Sequence, residues 1–136
     1  MSAAGWTTKP GVVMTTAHDL APMVRIREAA VATAPELKGP NLVVITEAWR
    51  PPRRKDGSDA HTWCLAFDFR VRDIVLQPGE TRTAAAEKWV AQMRAFLGSD
   101  PRFQFLVHGK GSNLHIHAEF DPRKVEIGGG VLSRAA

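Results

Sequence analysis

The run LHIHAEF, from Leu114 to Phe120, alternates apolar and polar residues at every step. A period of two marks a β-strand with one buried face, so Leu114, Ile116, Ala118 and Phe120 are predicted to face a core. His115, His117 and Glu119 then share the other face. Working outward, CLAFDFRV from Cys64 to Val71 alternates in the same way, with Leu65, Phe67, Phe69 and Val71 on one side. Asp68 falls opposite them, beside the small residues Cys64 and Ala66. A carboxylate between two phenylalanines requires a partner. His61 lies seven residues ahead of Asp68, just before that strand. Two neighbouring strands of this kind can bring two histidines and one aspartate to a single point.

The rest of the chain supplies the scaffold. Leu42 to Trp49 and Phe103 to His108 read as further strands. Thr16 to Ala34 reads as a helix, with Thr16 and Asp19 spaced as a capping box and Leu20, Met23, Val24, Ala30 and Val31 as its apolar face. A second helix is predicted from Thr83 to Leu97, with the stripe Ala86, Trp89, Val90, Met93, Phe96 and Leu97 ahead of Gly98. Pro51 to Asp59 is basic and carries Pro and Gly, which predicts an exposed loop. These elements give an α+β domain, a small antiparallel sheet with two main helices, with its core from about residue 16 to 122 and a frayed tail over 128–136. His18 is expected on the surface of the first turn, and Trp49 and Trp89 in the packing.

Composition narrows the function classes. The chain has 136 residues, 44% hydrophobic and 24% charged, as for one globular domain. No run is long and apolar enough for a membrane span, and the N-terminal residues lack a secretory pattern, so synthesis in the cytoplasm is expected. One cysteine, Cys64, excludes an internal disulfide and a Cys-rich zinc site. The net charge of +4 favours an anionic partner. For nucleic acid there is only the basic loop of Arg50, Arg53, Arg54 and Lys55, without a recognised module, so none is expected. Metal chemistry must therefore rest on imidazole and carboxylate. A catalytic zinc site uses three such ligands and keeps a fourth position open.

The segment SDAHTWCLAFD, from Ser58, resembles the SxHxxGxAxD motif of the D-alanyl-D-alanine carboxypeptidase and phage endolysin family of zinc peptidases. HIH at His115 to His117 resembles the second motif of the wider group that includes lysostaphin and the hedgehog signalling domains. Arg50, in TEAWRPP, stands where many members carry an arginine after a strand. The resemblance covers roughly Leu42 to Phe120. It implies one zinc ion held by His61, Asp68 and His117. It implies His115 as the catalytic histidine beside the metal, and Arg50 as the cation that polarises the scissile carbonyl or holds a substrate carboxylate. Ser58, Asp59, Trp63 and His108 are the candidates for lining the substrate groove.

Three positions depart from the pattern. The first Ser of the motif falls at Asp59, its Gly at Cys64, and the Glu that many carboxypeptidases place three residues before the last ligand at Leu114. The general base is then His115, His108 or Glu119, with His115 preferred. The activity implied is hydrolysis of cell-wall stem peptides by a monomeric, endolysin-like enzyme released through a separate pore. A cytoplasmic D-alanyl-D-alanine dipeptidase is a second reading, and a zinc-bearing module that binds without cutting is a third.

Overall fold

Five strands form one sheet in the order β1-β2-β3-β5-β4, with β1 Gly5–Thr8, β2 Leu42–Glu47, β3 Ala66–Arg70, β4 Phe103–His108 and β5 His115–Phe120. In this computed structural model residues 2–53, 60–63, 65–127 and 130–133 are described, with 125–127 and 130–133 as backbone only. Arg54, Lys55, Ser58, Asp59 and Cys64, together with the tail residues 128–129 and 134–136, lie outside the described residues. Two helices, α1 Ala21–Thr33 and α2 Arg82–Phe96, cover one face of the sheet. A separate hairpin of β6 Lys124–Ile127 and β7 Gly130–Ser133 follows.

The α+β class matches the expectation, but the sheet is mixed where an antiparallel one was expected. β1 pairs in parallel with β2, from Gly5 against Leu42 to Thr8 against Ile45. Parallel neighbours need a crossover, and α1 supplies it. GWTT is too short and too polar to show a period, which is why this strand escapes a reading by pattern. The remaining pairs in the sheet are antiparallel.

The helix from Thr16 is split. Thr16–Asp19 forms one turn of 3-10 helix, and α1 begins after Leu20 with Pro22 in its first turn. The box at its start joins Thr15 and His18, not Thr16 and Asp19: the Thr15 backbone N–H donates to His18 Nδ1 at 3.0 Å. That contact turns His18 inward. Far from lying on the surface, its ring is fully buried, 5.3 Å from the Phe67 ring. Burial lowers its pKa, so the ring is neutral with its proton on Nε2.

Met23, Ile26, Ala29 and Ala30 of α1 and Ala85, Ala86, Trp89, Val90 and Met93 of α2 pack on Val43, Ile45, Phe67, Phe69, Ile116 and Ala118 of the sheet. Leu20 and Phe96, expected in the stripes, lie at the helix ends and are exposed. Trp89 is buried and Trp49 half-buried, in keeping with packing roles. With the helices on one face, the other face of β3, β4 and β5 is left for polar side chains.

Candidate metal centre

Alternation along β3 and β5 sends Phe67, Phe69, Ile116 and Ala118 into the core and Asp68, His115, His117 and Glu119 to the opposite face. The antiparallel register sets Asp68 directly against His117, and Arg70 against His115. On the other flank β2 carries a bulge: Ile45 pairs with Phe69, yet Glu47 pairs with Asp68. Thr46 is the extra residue, and it brings Glu47 to the same face as Asp68.

His61, from the segment before β3, closes over Asp68 and is buried. Its Nδ1 lies 2.8 Å from the Ala48 carbonyl oxygen. A carbonyl only accepts, so Nδ1 carries the proton and Nε2 is turned inward. Nε2 stands 3.1 Å from Asp68 Oδ1, and His117 Nδ1 stands 3.0 Å from the same oxygen. Asp68 is 5% exposed. Burial alone would raise its pKa, but hydrogen bonds from His117 and His61 hold the carboxyl well below the usual carboxylate range. For His117 burial works downward, and the bonds to Asp68 and Glu119 prevail and carry its pKa up to about 9. Glu119 Oε1 lies 3.0 Å from its far nitrogen, Nε2.

A neutral His61 would face Asp68 with lone pair against lone pair. Such a contact requires a proton or a cation between the two atoms. The cluster fits a cation. One donor atom from each of His61, Asp68 and His117 lies within 4.8 Å of the others. A tetrahedral ion with bonds of roughly 2.0–2.2 Å has ligand-to-ligand edges of about 3.4 Å, close to the 3.1 and 3.0 Å found here. Both imidazoles also direct the far N–H at an acceptor, His61 at Ala48 and His117 at Glu119. That is the arrangement that fixes the tautomer and orientation of a ligand histidine. Two imidazoles and a carboxylate make a donor set that can hold a divalent transition-metal ion.

His115 sits beside the cluster without joining it. Its Nδ1 donates to the Asn113 carbonyl at 2.6 Å, which turns Nε2 to the site, 3.7 Å from Asp68 Oδ2. The Asn113 carbonyl is held by a tight turn. Gly109 has φ +90°, and a Cβ there would collide with the Asn113 carbonyl oxygen. His108 pairs with His115 across the strands and stacks on its ring at 5.5 Å.

The other expected residues take different places. Arg50 donates to Glu47 Oε2 at 2.8 Å and is thereby held next to the residue that pairs with Asp68. Trp63 is 53% exposed and walls an apolar pocket of about 340 Å³ with Leu65 and Phe120, beyond Glu119. Ser58 and Asp59 lie outside the described residues, as does Cys64. Two backbone acceptors, Ala48 O and Asn113 O, leave no mark in the sequence. Glu47 was also missed, because without the bulge its position has the parity of the core. Glu119 was legible from alternation, and the structure engages it with His117 Nε2.

No helix among the described residues is long and apolar enough to cross a membrane. No family model, curated protein or solved structure matches the chain.

Proposed function

We propose that this chain is a zinc-dependent peptidase that hydrolyses peptide bonds in bacterial cell-wall stem peptides, in the manner of a phage endolysin. The observation that carries the reading is the pair of histidines converging on one buried carboxylate oxygen, with a third histidine alongside whose Nε2 lone pair is open. Zinc at such a site supplies a Lewis acid and renders a water molecule acidic near neutral pH. His61 Nε2, Asp68 Oδ1 and His117 Nδ1 would hold it.

His115 Nε2 is the atom suited to take a proton, because Nδ1 already donates to Asn113. The same atom can pass that proton to the leaving amine. His115 thereby covers the role left open by Leu114, with its Nε2 beside the cluster, 3.7 Å from Asp68 Oδ2. Glu119 holds His117 in place, and Glu47 fixes Arg50 where a planar cation can meet a substrate oxygen. The apolar pocket at Trp63 can accept a small aliphatic side chain.

The test is mass spectrometry of purified cell-wall sacculi digested with zinc-loaded protein, beside a chelated control. Zinc-dependent peptide fragments are expected, and their masses name the bond cut. Zinc-loaded protein that releases no fragment from sacculi or from D-alanyl-D-alanine overturns the peptidase reading in favour of a binding module.

A further inference from the structure

On the His115 side of the metal centre the open face deepens into a groove of about 630 Å³. Four cations line it: Lys9 from the end of β1, Arg53 after β2, Arg70 on β3 and Arg72 just beyond. Glu47 and Asp68 are the acids on its wall. Both are engaged, Glu47 with Arg50 and Arg53, Asp68 with the two histidines. Arg70 leans on Asp73 at 3.8 Å. Lys9 and Arg72 have no ion-pair partner among the described residues, and both are exposed. A groove with two such cations, opening beside the reacting centre, has an unmet preference for negative charge. The opposite flank is the apolar pocket at Trp63. The two sides of the centre are therefore chemically unlike.

We propose that the groove binds a carboxylate of the substrate through Lys9 and Arg72, so that an acidic or carboxyl-terminal residue lies on the His115 side of the scissile bond and an aliphatic one on the Trp63 side. The proposal deepens the peptidase reading and rests on it. Arg50 is not among the residues that line this groove. Lys9 and Arg72 are specificity residues: they select the substrate and set its direction across the site, and they do not touch the metal.

The experiment is calorimetric titration of the zinc-loaded full chain with three short peptides. One is acetyl-L-alanyl-D-alanine with a free carboxylate, the second its terminal amide, and the third the amide carrying D-glutamate in second place. At least one acidic peptide is expected to bind about tenfold more tightly than the neutral amide, and which one does so tells whether a terminal or a side-chain carboxylate is read. The preference should shrink with added salt. It should vanish in Lys9→Gln/Arg72→Gln and in Arg72→Glu, with zinc content unchanged. A carboxylate that binds directly to the metal would keep its preference in those variants, and that result overturns the proposal. So does equal binding of all three peptides. Sacculus digestion is scored separately: failure to cut wall peptide with the carboxylate preference intact counts against the peptidase reading alone.

Discussion

Raising the pH of the metal-free protein should weaken it by an amount set at His117. The imidazolium of this residue lies between the carboxylates of Asp68 and Glu119, and its pKa rises from 6.5 to about 9 on folding. A group whose pKa is raised by folding contributes stability that is complete below its unfolded pKa and lost as the pH climbs through the folded one. A rise from 6.5 to about 9 corresponds to about 3 kcal/mol, fully present near pH 6 and gone near pH 10. Asp68 does not add to this window, since its depressed pKa keeps it ionised throughout. The assay is urea denaturation of chelated wild type and His117→Gln across that range. The stability difference between them should shrink by about 3 kcal/mol from low to high pH. A difference that does not change with pH refutes the assignment of His117 as a charged bridge. Zinc should show the opposite trend, because metal and proton compete for Nδ1 and affinity must rise as the proton leaves.

Three further outcomes are expected. His117→Ala and His61→Ala should lose zinc by elemental analysis, whereas His115→Ala should keep zinc and lose turnover. Full zinc content in His117→Ala would sink the ligand assignment. Glu119→Gln, which removes the charge behind His117 Nε2, should weaken zinc binding by about 10–100-fold in competition with a chelating dye, with circular dichroism unchanged. Gly109→Ala would press on the Asn113 carbonyl that orients His115. It should cut turnover by up to about a hundredfold at unchanged zinc content, and wild-type rates would refute the positioning role of that turn.

The legible part of this molecule is the part governed by alternation. Along β3 and β5 a period of two in apolar residues separates Phe67 and Ile116 from Asp68 and His117, so the cluster of His61, Asp68 and His117 could be read before any coordinates. The two helices were readable from their stripes and their C-terminal ends to within a residue, although the first begins at Ala21 and not at Thr16. What was not legible depends on the backbone. Parallel pairing of β1 follows from a crossover that no local pattern reports. His18 looked like a surface residue because the residue that captures it is Thr15, one position before the expected cap. The tautomers of His61 and His115 are dictated by carbonyls, which every residue possesses and no sequence marks.

The bulge at Thr46 bears on which changes of chain length this protein can survive. Side-chain direction in a strand is a matter of odd and even, and one residue gained or lost reverses every position beyond it. Deleting one residue within β3 or β5 would send Asp68 or His117 toward the helices and core residues such as Phe69 or Ile116 toward water. Thr46 is different: it is already the supernumerary residue, two on β2 against one on β3. Removing it leaves Ile45 facing inward and Glu47 facing outward in an ordinary ladder. In a library of single-residue deletions, position 46 should stand out as a tolerated gap in a segment where its neighbours are lethal to folding.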